Sequence, residues 1–329
     1  MPKTKKTTYK VASLFSGCGG MDLGVSGGFS FLGKEYEKLN TEVVFAADFD
    51  PKICNIYNSN FAVKCKIEDV RKIKSGDIPR HEILTGGFPC QSFSVVAQNP
   101  KRLGYKDARG KLFFEICRIL KERKPKIFVA ENVKGILSAN GGTAFPLIIK
   151  EFEKVGYHVK FQVLNAAEFG IPQKRQRVFI VGFKDEDTYK KFKFPEPPLK
   201  TGHTPLSRVL IQSKDIEEKY YFSERAVAGM RKTKHALTMN KGRAQKLSEP
   251  CNTVSAHLAK VSLNSTDPVL RFGSRYRMFT PREVARIQSF PDSFVLSGTR
   301  AVNYKALGNA VPPVLMWHVT REILSAIEN

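Results

Sequence analysis

The sequence predicts an α/β fold, a doubly wound and mostly parallel sheet, from three observations. Short apolar runs such as Val11–Phe15 and Val178–Gly182 recur before a proline-rich stretch at residues 194–198. Stretches with helical periodicity lie between these runs. The runs end in glycine, acidic or polar residues, as at Gly17 and Glu131. Continuously apolar strands are typical of a parallel sheet covered on both faces, whose ligands bind at the carboxyl ends of the strands.

The pattern places five strands and two helices in chain order. The predicted strands are Val11–Phe15, Val43–Ala47, Ile83–Leu84, Ile127–Ala130 and Val178–Gly182. One helix is expected at residues 111–123, because its apolar residues share one face and Pro125 stops it. The other helix closes the chain after Pro312 and Pro313.

A change of composition after residue 198 predicts a second domain. A chain of 329 residues suits one large domain or two unequal ones. The stretch from about 200 to 300 is polar, basic and rich in turn residues. We therefore expect a large domain built from residues 1–200 and 303–329, and a smaller domain at residues 201–302.

Charge and cysteine usage restrict the class of protein. The chain has 54 Lys and Arg against 31 Asp and Glu, a net charge of +23, which favours a polyanionic partner. The six cysteines form no CxxC pair and the histidines are scattered, so neither a metal site nor a disulfide framework is expected. No apolar run approaches the length of a membrane span, and no signal peptide is recognised. A cytoplasmic location fits these features.

Cys90 is the candidate nucleophile. It follows the apolar Ile83–Leu84 run on a loop with two glycines, Gly86 and Gly87, and a proline, Pro89. An α/β enzyme places a nucleophile at such a position, although a single cysteine is more often a buried structural residue. A stretch with ten basic and three acidic residues, from 95 to 126, follows this loop. Positive surroundings lower a thiol pKa and so favour the reactive thiolate.

Other candidates lie where the first strands end. The glycine loop Phe15–Gly20 allows the backbone to approach a ligand closely. Asp48 is placed to accept hydrogen bonds from two ribose hydroxyls, and Phe49 offers a face for an adenine ring. Asp69 comes where a third strand is expected to end. Taken singly, these residues also suit a solvated acid, a core aromatic residue and a helix cap.

Taken together, seven segments resemble the DNA cytosine-5 methyltransferases of bacterial restriction-modification systems, in the order in which that family carries its motifs. The segments are Phe15–Gly20, Gly87–Gln91, Asp107–Phe113, Glu131–Val133, Gln173–Arg177, Pro281–Arg286 and Gly308–Pro312. The resemblance covers nearly all of the chain outside residues 185–250. It implies S-adenosylmethionine as the methyl donor and no metal.

The resemblance also implies which residues bind the methyl donor. They are Phe15, Gly17, Gly19, Gly20, Asp48, Phe49, Asp69, Pro89, Leu112, Asn309 and Ala310. Asp48 stands where many relatives carry Glu, and its side chain is one methylene shorter.

The implied chemistry assigns three catalytic residues. Carbon 5 of cytosine is a weak nucleophile until a thiolate, here that of Cys90, adds to carbon 6. Glu131 would bond N3 and the exocyclic amine, and Arg177 would orient the base. Because these atoms lie inside a duplex, the base must rotate out of the stack. The basic stretch at residues 95–106 resembles the loop that closes over the base.

Duplex DNA is the implied partner, contacted by Gln91, Ser94, Arg109, Arg175 and Thr253. The small domain, including the hinge segment Pro281–Arg286, would recognise the target sequence. The resemblance further implies a monomer associated with the bacterial nucleoid, and a cognate restriction endonuclease that acts separately.

Alternative functions explain less of the sequence. A nicotinamide-dependent dehydrogenase accounts for the glycine loop and Asp48 but not for Cys90 or the Gln173–Arg177 segment. A thiol hydrolase needs a histidine close to the cysteine, and a non-catalytic DNA-binding module explains only the charge. Methyltransferases that act on amino groups share the sheet but use a different loop. An enzyme of the same fold that acts on transfer RNA remains the closest alternative.

Overall fold

The computed structural model describes residues 7–88, 111–198, 202–232, 243–259 and 267–328. The strands are β1 (Tyr9–Leu14), β2 (Phe29–Phe31), β3 (Lys34–Tyr36), β4 (Thr41–Asp48), β5 (Cys65–Ile67), β6 (Ile83–Gly87), β7 (Ile127–Val133), β8 (His158–Asn165), β9 (Gln173–Lys174), β10 (Gln176–Phe183), β11 (Cys251–Asn252), β12 (Leu270–Phe272) and β13 (Arg275–Arg277). The helices are α1 (Gly20–Ser26), α2 (Pro51–Asn58), α3 (Lys111–Arg123), α4 (Ala144–Lys154), α5 (Glu186–Lys191), α6 (Glu224–Lys232), α7 (Pro281–Ile287), α8 (Arg300–Asn309) and α9 (Pro313–Glu328).

Seven of these strands form one central sheet in the order β5-β4-β1-β6-β7-β10-β8. The first five pair in parallel, whereas β10 runs antiparallel to both of its neighbours. Strands β4 and β5 are added on one side of β1, and the later strands, beginning with β6, are added on its other side. This reversal creates a crevice at the carboxyl ends of β1 and β6, where open α/β sheets bind ligands.

Helices cover both faces of the sheet. Successive residues of β7 point to opposite faces, so Ile127 and Val129 join one apolar cluster while Phe128 and Ala130 join the other. The first cluster includes residues of α1 and α9, and the second includes residues of α3 and α4. Burial on both faces explains why the central strands read as continuous apolar runs.

The predicted fold class is confirmed, and each of the five predicted strands lies on a strand of the sheet. The helix expected at residues 111–123 has those bounds. The strand β8 carries no such apolar run, because it pairs on one side only and most of its residues are partly or fully exposed. Hydrophobicity therefore does not predict this strand, because it lies at the exposed edge of the sheet.

Described residues after 200 pack against the central sheet through a shared apolar core. Leu206, Val254 and Phe279 belong to the same apolar cluster as β1 and α9. Strand β11 pairs in parallel with β9. The division into domains at residues 201–302 stays a prediction. No helix in the described part of the chain is long and apolar enough to cross a membrane.

Candidate active site

The carboxyl ends of β6 and β7 bring the first catalytic candidate to the crevice. Glu131 is the register partner of Gly87, and a Cβ atom added to Gly87 would lie 3.4 Å from Glu131 Oε2. The Asn132 side chain donates a hydrogen bond to the Phe88 carbonyl at 3.0 Å. One strand end therefore supplies the carboxylate, and its next residue fixes Phe88, which directly follows β6.

Glu131 forms an ion pair with Arg177 across the β7–β10 pair. The distance from Arg177 Nε to Glu131 Oε1 is 3.0 Å, and both side chains are almost buried. Burial raises the pKa of Glu131, while the charges of Arg177 and Arg175 act in the opposite direction. Because burial and the two arginine charges shift its pKa in opposite directions, this carboxyl group can accept a hydrogen bond as an anion and can also hold a proton.

Five of the predicted site residues lie outside the described residues. They are Pro89, Cys90, Gln91, Ser94 and Arg109. Phe88 is anchored to Asn132, the neighbour of Glu131. Glu131 and Phe88, the last described residue before these positions, therefore lie at the same end of the sheet.

A second feature of this edge is a cavity of about 630 Å³, including its open mouth, beside the ends of β1, β4 and β5. Ten residues line it: Leu14, Phe15, Ala47, Asp48, Phe49, Glu68, Asp69, Val70, Arg71 and Leu112. Five of the residues predicted to bind the methyl donor are among them. The fold brings these five together from four separate segments of the chain.

Asp48 organises one wall of this cavity. Its carboxylate accepts hydrogen bonds from the Gly17 and Asp50 amides, each at 3.0 Å. Burial raises the pKa of Asp48, although these amides act to lower it. Gly17 has a φ of +57°, a left-handed conformation that favours glycine. The glycine loop and the end of β4 are therefore held as one unit.

The aromatic candidate Phe49 is 69% exposed at this cavity. Exposed phenylalanine rings are unfavourable in water, and a ring at the mouth of a cavity gives a flat apolar face to a planar ligand. Asp69 has a different environment, because the Arg71 guanidinium forms a salt bridge with it and holds its pKa below the usual value. Phe49 is thus free to stack, whereas Asp69 remains ionised.

The last predicted motif packs directly against the first. A Cβ atom added to Gly20 would lie 2.3 Å from the Val311 carbonyl oxygen and 3.3 Å from Ala310 Cβ. Asn309 is exposed and Ala310 is partly exposed at the end of α8. A Cβ atom at Gly19 would instead meet the Phe61 ring at 2.2 Å. Gly19 and Gly20 therefore allow close packing of the loop.

Replacing Gly20 with alanine is expected to destabilise the fold, because the new methyl group meets backbone rather than a movable side chain. We expect the free energy of unfolding to fall by about 1–3 kcal/mol, the usual cost of overpacking. Gly76→Ala is the matched control, since nothing lies within 4 Å of its added Cβ atom. Urea unfolding of both variants measures the effect, and equal stabilities would contradict the packing described here.

Sequence reasoning missed a buried polar network below the glycine loop. Asp22 is fully buried and accepts hydrogen bonds from Ser13 Oγ at 2.9 Å and from the Tyr57 hydroxyl at 3.1 Å. Ser16 Oγ bonds Ser13 Oγ and also accepts the Ala47 amide. Burial raises the pKa of Asp22 to about 6. The network fixes the loop to the end of β4, and only the three-dimensional arrangement reveals it.

Comparison with known proteins identifies the family. A profile of the C-5 cytosine-specific DNA methylases matches residues 9–325. This chain belongs to that family. The Type II methyltransferase M.NgoBI of Neisseria gonorrhoeae is 36% identical over 332 residues, which cover 97% of this chain and 94% of the relative. The Type II methyltransferase M.Bsp6I of Bacillus sp. (strain RFL6) is 33% identical and covers 97% and 99%.

Solved structures share the fold of this C-5 cytosine-specific DNA methylase. The methyltransferase EhMeth of Entamoeba histolytica superposes with a TM-score of 0.79 at 19% identity, over 99% of this chain and all of the other. The Dnmt2 methyltransferase of S. pombe has a TM-score of 0.72 at 18% identity, over 98% and 100%. The predicted resemblance is confirmed, and the chain is a DNA cytosine-5 methyltransferase.

The structure of this methylase does not support the predicted DNA contact of Arg175. This side chain is 1% exposed, and its guanidinium donates hydrogen bonds to the carbonyls of Val254, Gly308 and Ala310 at 3.0–3.2 Å. An arginine whose charge is enclosed by backbone carbonyls cannot reach a phosphate or a base edge. Arg177, two residues later, faces Glu131 instead.

Thr253 lies at the partly exposed end of β11. Its hydroxyl donates a hydrogen bond to the Lys174 carbonyl at 2.8 Å. Gln173 accepts the Val254 amide at 2.9 Å. The predicted recognition segment is thereby fixed to the segment that ends in Arg177. Among the described residues, no group of three or more His, Cys, Asp or Glu side chains suits a metal ion.

Proposed function

We propose that this methylase modifies carbon 5 of a cytosine rotated out of a specific duplex DNA sequence, through a covalent bond between Cys90 Sγ and carbon 6. The Glu131–Arg177 pair at the carboxyl end of β7 is the observation that carries the proposal. The pair combines a buried carboxyl group and a guanidinium near Phe88, which precedes Cys90 by two residues in the sequence. The same edge of the sheet holds the cavity lined by Asp48 and Phe49.

The cavity fits S-adenosylmethionine. The carboxylate of Asp48 suits the ribose hydroxyls, and the exposed ring of Phe49 suits the adenine. When bound, S-adenosylmethionine supplies an electrophilic methyl group. Phe15, Asp69 and Leu112 line the remainder of the cavity, and Gly17 fixes the orientation of Asp48.

The protein's own residues activate the cytosine. The Cys90 thiolate adds to carbon 6, and the electron pair of the 5,6 double bond becomes available at carbon 5. Glu131 hydrogen bonds to N3 and the exocyclic amine, where negative charge develops, and its raised pKa suits the sharing of a proton with N3. Arg177 holds the Glu131 carboxylate in position. After carbon 5 has gained the methyl group it loses its proton to a base, and elimination of the thiolate restores the double bond.

Replacing Asp48 with alanine is expected to weaken binding of S-adenosylhomocysteine about 10- to 100-fold, because charge-assisted hydrogen bonds to the ribose are lost. Isothermal titration calorimetry measures the change. Asp77→Ala is the matched control, since Asp77 is an exposed carboxylate that pairs with Lys66. An unchanged dissociation constant for the Asp48 variant would refute the cofactor site.

The biological role follows from the relatives. Because the two relatives compared above are Type II methyltransferases, we infer that this enzyme protects host DNA from a cognate restriction endonuclease. We further propose that it acts as a cytoplasmic, nucleoid-associated monomer, and that residues 201–302 recognise the target. The net charge of +23 supports association with DNA.

Bisulfite sequencing of DNA from cells that express the chain tests the proposed function. We expect protected cytosines within one recurring sequence. A parallel assay with tritiated methyl donor should label duplex DNA and leave transfer RNA unlabelled. Label in transfer RNA alone would overturn the assignment of duplex DNA as substrate.

A further inference from the structure

The burial of Arg175 gives this residue a role that the chemistry above does not use. Its three acceptors belong to two segments that are far apart in the sequence. Val254 follows Thr253, at the predicted recognition segment. Gly308 and Ala310 flank Asn309, in the segment predicted to bind the methyl donor. A single guanidinium therefore connects a proposed DNA contact with a proposed cofactor contact.

Backbone packing joins the same two segments independently. A Cβ atom added to Gly308 would lie 2.3 Å from both the carbonyl carbon and the oxygen of Ser255, and 2.4 Å from the Ala256 nitrogen. The two backbones are thus in direct contact, with no side chain between them. A displacement of either segment must be transmitted to the other, because close-packed backbone has no free volume to absorb it.

A second buried hydrogen-bond path runs parallel to Arg175. Gln173 accepts the Val254 amide at 2.9 Å and donates to Gln288 Oε1 at 2.7 Å. Gln288 in turn donates to the carbonyls of Leu307 and Ala310. Both glutamines are fully buried, so these bonds are made in an environment that excludes water.

The far side of the cofactor segment touches the glycine loop. Val311 and Ala310 pack against Gly20 at the distances that only glycine permits. Arg175, the end of α8 and the glycine loop therefore form one continuous set of contacts from Val254 to the edge of the methyl-donor cavity. The set begins at the recognition segment and ends at the loop that orients Asp48.

We propose that Arg175 is a positioning residue that couples methyl-donor binding to DNA binding, by holding the Val254 segment and the Gly308–Ala310 segment in one arrangement. This role rests on the proposed function. A ligand that orders either segment reduces the cost of ordering the other. The coupling must be reciprocal, so the methyl donor raises DNA affinity by the same factor by which DNA raises affinity for the donor.

The test measures this factor directly. The dissociation constant of a duplex that contains the bisulfite-mapped site is determined by fluorescence anisotropy, with and without saturating S-adenosylhomocysteine, at one fixed salt concentration. For the unmodified enzyme we expect the ratio of the two constants to lie between about 5 and 150, the usual range of coupling between sites. In Arg175→Met we expect the ratio to fall by about threefold or more, while the Gln173–Gln288 path and the backbone packing at Gly308 retain part of the coupling.

Lys184→Met is the matched control. Lys184 also donates to a backbone carbonyl, that of Val155 at 2.9 Å, but neither residue belongs to the recognition segment or to the methyl-donor site. We expect this variant to keep the ratio of the unmodified enzyme. Equal loss in both variants, or an unchanged ratio in Arg175→Met, would overturn the role of Arg175. An unmodified enzyme with a ratio of 1 would do the same.

A conservative variant covers the case in which Arg175→Met fails to fold. Lysine keeps the charge but has one donor group in place of the planar guanidinium, so Arg175→Lys should show an intermediate ratio. An unchanged ratio in Arg175→Lys, with thermal melting showing a folded protein, would overturn the proposal. Methyl transfer by the unmodified enzyme is measured in the same preparation. If the enzyme modifies duplex DNA, a negative result of the binding test contradicts only the coupling role of Arg175. If it does not modify duplex DNA, the proposed function itself fails.

Discussion

Replacing Cys90 with serine is expected to lower kcat for methyl transfer by at least about 10⁴-fold, as loss of a covalent nucleophile does in other enzymes. A serine hydroxyl is not ionised near neutral pH and adds poorly to carbon 6. Binding of duplex DNA and of S-adenosylhomocysteine should remain, because neither depends on the covalent bond. Steady-state kinetics with tritiated methyl donor, together with anisotropy and calorimetry, separate these effects.

Cys117→Ser is the matched control for this substitution. Cys117 lies buried on α3, and burial raises the pKa of its thiol to about 12, so it is not a thiolate near neutral pH. We expect the Cys117 variant to keep kcat within about threefold, with any loss confined to stability. Turnover by Cys90→Ser close to that of Cys117→Ser would show that another group attacks the base.

Replacing Glu131 with glutamine should lower kcat about 10²- to 10³-fold, with little change in the dissociation constant of S-adenosylhomocysteine. The amide cannot share a proton with N3, and it removes the carboxylate charge that pairs with Arg177. The cofactor cavity is lined by other residues, so its affinity should be preserved. Single-turnover kinetics report the chemical step without the contribution of product release.

Loss of stability must be separated from loss of chemistry in this variant. Removing one member of an almost buried ion pair is destabilising, so thermal melting accompanies the kinetics. Glu151→Gln is the control, because Glu151 forms an exposed pair with Lys154 of the type that contributes little. A folded Glu131→Gln enzyme with kcat within about threefold of the control would exclude Glu131 from the chemical step.

Periodicity predicts five of the seven strands of the central sheet, and motif order supplies the candidate residues at its carboxyl edge. Strands that are apolar on both faces give a strong signal, and their carboxyl ends place Asp48 and Glu131 without further information. In the structure, Phe15, Phe49 and Leu112 come from separate segments and line the same cavity. Motif order links these positions in the sequence, whereas hydrophobicity alone does not connect them.

The roles of buried polar residues could not be predicted in this way. Arg175 lies in a basic motif, and sequence alone does not distinguish an arginine that faces DNA from one enclosed by carbonyls. Asp22 and Asn132 show no periodic signal, because their function depends on partners distant in the chain. The edge strand β8 was missed for the related reason that solvent, not packing, surrounds most of it.

The most direct test of the covalent mechanism is a duplex with 5-fluorocytosine at the target position. After methyl transfer, carbon 5 carries fluorine and no proton, so elimination cannot release the enzyme. We expect a complex that survives denaturation, with the mass of one modified nucleotide on the Cys90 peptide and none in Cys90→Ser. An enzyme that methylates the ordinary duplex but forms no such adduct would contradict the account.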